Sequence, residues 1–320
     1  MRTSELSKTD MSGDELKGIF ERGLFKGEIK FNEPMSAHTS LKIGGTVDIM
    51  VFPDDPLSLK NVLLAAKKEK IPLFVFGAGT NLLVGDGKIE GIAVSLRAFT
   101  SIELTRVTDD RNVVLFVGSG VPLAMLINFA KKNGYSGIEA LVGIPGNVGG
   151  AVYMNAGSFD TEIIDVIVSL AIMNMNGDII IMERDKLDFS YRSANLAEDS
   201  IILSTNIILK RDDPVEVEKR TKECMTRKRE AQPLGELSAG CMFKNPEGDT
   251  AGRLIDTAGC KGMRIGDAEV SSRHANYFIN KGGATCKDFV ELMDIVKARV
   301  KERSGIDLEP EVRIIGIKNG

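Results

Sequence analysis

Apolar and polar positions along the chain switch repeatedly between the strand and helix periods. Residues 48–52 form a short β-rich run. Leu59, Val62, Leu63 and Ala66 then fall on one face of a helix opened by Asp55-Pro56, an N-cap followed by proline at the first helical position. Strand-like runs follow at 73–76 and 92–96. A second unit of this kind opens with a strand at 113–117 and a helix over 122–132, which Asn133-Gly134 closes. Residues 163–173, 178–182 and 201–209 are β-rich runs with no helix between them, which predicts an antiparallel sheet. Asp213-Pro214 starts a charged helix ending near Glu230. Further helices are predicted at 250–258 and 287–303, the latter capped by Thr285 with Asp288 as reciprocal partner, and 311–315 reads as a last strand. At the other end, Ser12-Gly13-Asp14-Glu15 reads as a capping box for a short helix through Leu24, within a frayed appendage of about thirty residues.

Composition narrows the function classes. A chain of 320 residues that is 43% hydrophobic has ample material for two or three cored domains. Lys plus Arg number 41 against 45 Asp plus Glu, a net charge of -4, which argues against a dedicated nucleic-acid binder. Cys224, Cys241, Cys260 and Cys286 form no C-x-x-C pair, and with only His38 and His274 a structural zinc site lacks ligands; a disulfide framework is equally disfavoured. The first sixteen residues are polar and unlike a secretory signal. The most apolar stretch, 163–182, is broken by Asp165, Asn174, Asn176 and Asp178, so no membrane span is expected. The expectation is a cytoplasmic protein.

Two glycine-rich loops carry the first chemical signal. Gly77-Ala78-Gly79-Thr80-Asn81-Leu82 follows a strand, but Leu82 stands where a dinucleotide fingerprint needs Gly or Ala and no helical pattern follows. Its small residues still let backbone N–H groups approach an anion, although a simple turn explains it equally well. Gly143-Ile144-Pro145-Gly146-Asn147-Val148-Gly149-Gly150 holds more glycine than one turn requires, and Asn155-Ala156-Gly157-Ser158 follows. Two such loops on adjacent units point to one extended ligand carrying a pyrophosphate. Three polar clusters remain: Tyr191-Arg192-Ser193, the segment from Ser238 through Cys241, Lys244 and Asn245 to Pro246, and Glu309-Pro310-Glu311-Val312-Arg313. Each alone has an ordinary explanation: a surface ion pair, inert thiol packing, a solvated carboxylate. The charges of the basic helix, Lys228 and Arg229 among them, read as a solvated face.

Together these segments resemble the UDP-N-acetylenolpyruvoylglucosamine reductase family. The match in order and spacing spans roughly residues 30 to 320. It rests above all on the second glycine loop with Met154-Asn155-Ala156-Gly157, on Val270-Ser271-Ser272-Arg273-His274-Ala275-Asn276, and on Glu311-Val312-Arg313-Ile314-Ile315-Gly316. The short run after Tyr191 is similar to the branch lacking an extra substrate-covering loop. The resemblance implies an α+β architecture: a vanillyl-alcohol-oxidase-like FAD-binding fold of two α/β subdomains plus a third, α+β substrate-binding domain. The corresponding boundaries are an extension at 1–30, FAD-binding subdomains at 31–100 and 101–212, a substrate-binding domain at 213–303, and a C-terminal strand at 304–320 carrying a catalytic glutamate.

The activity so implied is peptidoglycan-precursor synthesis. NADPH reduces non-covalently bound FAD, and the enolpyruvyl ether of a UDP-linked amino sugar is then reduced to UDP-N-acetylmuramate. The two glycine loops would hold FAD. Hydride addition leaves enolate-like charge on the substrate, which calls for a preorganised cation and donors. By similarity Arg192 and Glu311 lie at its carboxylate, the glutamate protonated or hydrogen-bonded, and Cys241 supplies the proton. The family usually has serine there; a thiol is a stronger acid and adds sensitivity to oxidation and alkylation. Tyr191, Lys228, Lys244 and Asn245 would bind substrate, Thr80 keeps the hydroxyl of a common serine, and His274 would fix the turn after Val270. No nucleic acid, membrane or metal is implied, and a monomer is compatible with the sequence. Two rivals stay open: an oxygen-using flavin oxidase, disfavoured by Arg192 with Glu311, and a non-catalytic nucleotide-sugar binder, favoured only by the cysteine at 241.

Overall fold

A computed structural model describes residues 14–108, 111–197 and 199–317. Over the described residues the backbone divides into two compact units, each discontinuous in sequence: 14–33 with Asp48–Gly77 and Glu90–Cys224, and Pro34–Val47 with Ala78–Ile89 and 225–317.

The first unit is built on two sheets. A four-stranded sheet runs in the order Gly27–Pro34, Thr46–Pro53, Ile89–Ser95, Leu73–Phe76. The larger sheet runs Ile179–Glu183, Ile167–Met173, Ile201–Arg211, Asn112–Gly118, Ile102–Val107, all antiparallel, with Tyr135–Ser136 pairing onto Ile201–Arg211. The antiparallel expectation for the three consecutive β-rich runs holds, except that Ile163–Val166 is a 3-10 turn feeding the first strand. Alternation sorts the larger sheet's side chains into two cores. Val113, Leu115, Val117, Leu170 and Ile172 join the helix Leu123–Asn133 in one core. Met173, Ile201 and Leu203 join the helix Pro56–Glu69 and the smaller sheet in the other.

The local signals work as the sequence suggests. Asp55 accepts from the Ser58 N–H at 2.7 Å, and Gly134 closes its helix in the left-handed region at φ 65°. The amino-terminal segment corrects the reading of a frayed appendage. Ile19 is buried in the first unit's core, and Ile29 and Phe31 of the strand Gly27–Pro34 pack against it. The expected short helix is present as Asp14–Glu21, while Ser12 of the expected capping box lies outside the described residues.

The second unit has one core, drawn from Leu41, Ile43 and Leu83 together with residues from Ala239 to Val312. A four-stranded antiparallel sheet runs Ser238–Cys241, Tyr277–Asn280, Ala268–Val270, Arg264–Ile265, covered by the helix Cys286–Ser304. That helix has the expected reciprocal cap, Thr285 with Asp288. The last strand is Arg313–Ile315 rather than 311–315, and it pairs in parallel with Leu82–Val84. The correction has a cause: residues 309–312 are already committed to a different neighbour, the chain after Cys241.

Candidate active site

In the second unit three segments lie side by side. The Glu311 N–H donates to the Met242 carbonyl at 2.9 Å, the Lys244 N–H donates to the Glu309 carbonyl at 2.8 Å, and Phe243 bridges Pro310. On the far side of residue 311, Asn81 Nδ2 donates to the Glu311 carbonyl at 3.1 Å, and the Asn81 carbonyl accepts from the Arg313 N–H at 3.0 Å. The half of the first glycine loop that runs from Ala78 to Leu82, the Cys241 segment and Glu311 are thus held in one register. Cys241 and Glu311 are both half-buried, accessible yet partly desolvated.

The Cys241 segment is fixed from its other edge by Asn276. The Met242 N–H donates to the Asn276 carbonyl at 2.8 Å; Asn276 Oδ1 accepts from the Phe243 N–H at 2.9 Å, and its Nδ2 donates to the Phe243 carbonyl at 2.7 Å. Lys244 Nζ meets Glu309 Oε1 at 2.6 Å, and Asn245 Oδ1 accepts from the Ala251 N–H at 3.0 Å, tying down the loop before the helix Ala251–Thr257. His274 has the structural place expected of it. Its Nδ1 accepts from the Asn276 N–H at 3.3 Å, its ring meets Tyr277 edge-on, and burial holds the imidazole below its ordinary pKa.

Lys228 corrects the reading of its helix. Within Pro214–Ala231, Val217, Thr221 and Lys228 fall at i, i+4 and i+11 and are all buried, Lys228 with 2% exposure. Its neighbours Arg227 and Arg229 are exposed, so the solvated-face description holds for them and fails for this lysine. A charged side chain so deeply placed is retained only where it is paired or put to use.

In the first unit the second glycine loop packs on the turn around Ser119. The Leu123 N–H donates to the Gly146 carbonyl, Val148 N–H to Val121, and Gly149 N–H to Ser119, all at 2.8–2.9 Å. The two terminal glycines differ. A Cβ on Gly149 would sit 2.7 Å from Ser119 Cβ, whereas one on Gly150 would meet nothing within 4 Å. The first loop repeats the division: a Cβ on Gly79 would strike the His38 carbonyl at 2.0 Å, and one on Gly77 would lie in open space. In each loop one glycine permits close packing and the other leaves the backbone bare.

After the short helix Val148–Tyr153, Asn155 is 1% exposed; its Nδ2 donates to Glu162 Oε2 at 2.6 Å and to the Ser190 carbonyl at 3.1 Å. This ties down the turn bearing Arg192. The Ser190 and Ser193 backbones bond each other in both directions, at 2.9 and 3.1 Å, and Arg192 takes φ 60°, where glycine or asparagine is usual. Its guanidinium carbon lies 4.7 Å from the ring centre of Tyr191, which is 43% exposed.

Comparison with known proteins decides the family. A family model described as "UDP-N-acetylenolpyruvoylglucosamine reductase, C-terminal domain" matches residues 232–315, and an "FAD binding domain" model matches 47–183. The chain is 41% identical over 292 residues to the UDP-N-acetylenolpyruvoylglucosamine reductase of Geotalea uraniireducens, covering 91% of this chain and 95% of the relative. It is 42% identical over 294 residues to that of Clostridium novyi, covering 92% and 94%. The chain belongs to the UDP-N-acetylenolpyruvoylglucosamine reductase family. A solved reductase of this name from Thermus caldophilus superposes with TM-score 0.77 at 33% identity, covering 91% of this chain and 99% of that one. The α+β, FAD-binding architecture that the family resemblance implies is the observed one, and the chain is an FAD-dependent oxidoreductase of this family.

The residues fit a bound flavin nucleotide. Ser119 Oγ and Asn155 Oδ1 are buried polar atoms with no hydrogen-bond partner among the described residues, and both border the second glycine loop or the helix it opens. Such atoms are costly unless a ligand or water satisfies them. Ser119 was not singled out from sequence, although Gly118-Ser119-Gly120 after a strand is the same kind of signal as Gly77-Ala78-Gly79. Among the described residues no cluster of His, Cys, Asp or Glu is arranged to hold a metal, and no helix is long and apolar enough to cross a membrane.

Proposed function

We propose that this chain reduces the enolpyruvyl ether of UDP-N-acetylglucosamine enolpyruvate to UDP-N-acetylmuramate, with NADPH as reductant, in peptidoglycan-precursor synthesis. Membership of the reductase family supports the reaction class. The observation that carries the residue-level reading is the Met242–Glu311 hydrogen bond, which sets the segments bearing a thiol and a carboxyl side by side. FAD, when bound, supplies the hydride.

Everything else falls to the chain. Open backbone at Gly77 and Gly150, within the loops Gly77-Ala78-Gly79-Thr80-Asn81-Leu82 and Gly143–Gly150, suits the diphosphate of FAD. Cys241 donates the proton from Sγ to the substrate carbon that has become enolate-like; a thiol, with a reference pKa of about 8.5, is a far stronger acid than a serine hydroxyl. Arg192 provides a permanent positive charge for the substrate carboxylate, held by a turn rather than a flexible arm. Glu311, protonated or hydrogen-bonded, is the carboxyl that meets that carboxylate without repelling it. Lys228, Lys244, Tyr191 and Asn245 serve the rest of the UDP-sugar. Lys244 exchanges its solvent-exposed partner Glu309 for a substrate anion at small cost, since such surface pairs contribute about 1 kcal/mol or less.

Anaerobic stopped-flow absorbance tests the reading. NADPH should bleach the FAD-loaded protein and the enolpyruvyl substrate should restore its colour. Cys241→Ser should retain both phases. Cys241→Ala should bleach at the parental rate and recover about 100- to 10,000-fold more slowly, the range for loss of a general acid. An alanine variant recovering at the parental rate overturns the role of Cys241; recovery by oxygen but not by substrate, or no bleaching at all, overturns the reaction.

A further inference from the structure

The strand Ser238–Cys241 is irregular just before the thiol. It pairs with Tyr277–Asn280 so that Ser238 stands opposite Ile279 and Cys241 opposite Tyr277; three steps on one strand match two on the other. The extra residue is a β-bulge, and it puts Cys241 where Gly240 would stand in a regular ladder. Gly240 permits this. It takes φ 78°, in the left-handed region, and a Cβ on it would meet nothing within 4 Å, so this glycine serves the backbone angle rather than close packing. The direction of the thiol therefore depends on how the bulge is held at its two ends.

After the bulge, Met242 is fixed by Asn276 on one side and the Glu311 N–H on the other. Before it, the Ser238 carbonyl accepts from Ser40 Oγ at 2.7 Å. A hydroxyl has one proton to give, and its other neighbour, the Gly79 carbonyl, is farther off at 3.4 Å. That carbonyl accepts instead from the Ser40 N–H at 3.1 Å. Ser40 thus holds the first glycine loop with its backbone and the start of the bulge with its side chain. It is itself anchored on both sides. The buried Thr39 hydroxyl donates to the Ile43 carbonyl at 2.8 Å and accepts from the Ile43 N–H at 3.2 Å, and the carbonyl of the fully buried Leu41 accepts from Asn280 Nδ2 at 2.8 Å. Ordering so short a side chain on so fixed a segment costs little.

We infer that Ser40 is a positioning residue for Cys241: through Gly79 and Ser238 it sets the thiol against the loop proposed above to hold FAD. The inference rests on the proton-donor reading of Cys241 and adds the group that aims it. Proton delivery is sensitive to placement, about 100-fold for an error of about 1 Å, so losing this one bond shows in the step that uses Cys241.

Anaerobic stopped-flow absorbance on the full-length, FAD-loaded protein decides this. Ser40→Ala should bleach with NADPH at the parental rate. With saturating enolpyruvyl substrate it should recover about 10- to 100-fold more slowly, at an unchanged half-saturating concentration. Ser40→Thr keeps the hydroxyl and should recover within about threefold of the parent. In a Cys241→Ala background the change Ser40→Ala should cost about threefold or less, because no thiol remains to be aimed. Iodoacetamide gives a readout apart from turnover: Ser40→Ala should speed alkylation of Cys241 about threefold or more and leave that of Cys224 unchanged. Parental recovery in Ser40→Ala, equal losses with and without Cys241, a threonine variant as slow as alanine, or an unchanged Cys241 alkylation rate each overturns the positioning role alone. Cys241→Ala recovering at the parental rate overturns the proton-donor reading and this inference with it.

Discussion

Asn276 does for Phe243 what a neighbouring strand would do: its side-chain amide meets both the N–H and the carbonyl of that residue, at 2.9 and 2.7 Å. Asn276 is 1% exposed and Phe243 fully buried, so neither backbone group has water as an alternative. Asn276→Ala leaves both unpaired, each at about 1–3 kcal/mol. The expected result is a lower urea midpoint together with faster alkylation of Cys241, two residues away. Asn276→Asp keeps the acceptor, loses the donor, and should fall between. An alanine variant within about 0.5 kcal/mol of the parent would show that the amide is dispensable.

The glycine loops should answer to substitution with opposite signs. Gly150 is exposed on a helix and has room for a Cβ, so Gly150→Ala should stabilise the FAD-free protein by about 0.5–1 kcal/mol. On the proposed reading the same methyl group stands between backbone and flavin nucleotide and should weaken FAD binding about tenfold or more. Gly79→Ala faces the His38 carbonyl at 2.0 Å with φ 64° and should destabilise the fold outright, by about 1–3 kcal/mol or more. Denaturant titration of apoprotein and fluorescence titration with FAD separate the two effects. Parental FAD affinity in Gly150→Ala would remove that loop from the cofactor site.

What the sequence made legible was local. The Asp55 cap, the Gly134 stop and the Thr285–Asp288 box each involve partners at most four residues apart, and each is present as expected. The strand Gly27–Pro34 shows a weak alternation, Ile29 and Phe31 beside Glu28 and Lys30, too short to stand out from an amino-terminal segment read as a frayed appendage until a sheet neighbour supplied the reason for it. Nothing local marks Asn81 as the partner of residues 311 and 313, or Asp86 as acceptor for the N–H groups of Cys286 and Lys287, since both contacts span 200 residues or more. Lys228 was hidden for another reason. Its helix is so heavily charged that one lysine on the buried stripe looks like its neighbours until Val217 and Thr221 are seen to share its face.

The four thiols should behave as two classes. Cys286 is 2% exposed beside Asp86, and burial, with a smaller push from that carboxylate, raises its thiol to about 12. Burial also raises Cys260, with Arg299 pulling weakly the other way. Cys224 and Cys241 are only half-buried. Iodoacetamide at about pH 8, followed by peptide mass spectrometry, should label Cys241 and Cys224 in the folded protein and reach Cys260 and Cys286 only after denaturation. Linkage gives the same chemistry a second readout. Folded Cys286 keeps its proton until about pH 12, whereas the unfolded thiol releases it near its ordinary value of 9.0, so the folded state binds more protons between these limits. Stability from this group is therefore complete below pH 9.0 and is lost as pH rises toward 12. Cys286→Ala removes that contribution to the slope: above pH 9.0 the parent's urea midpoint should fall more steeply than the variant's. Equal slopes would mean that the Cys286 thiol titrates in the folded protein as it does in the unfolded chain.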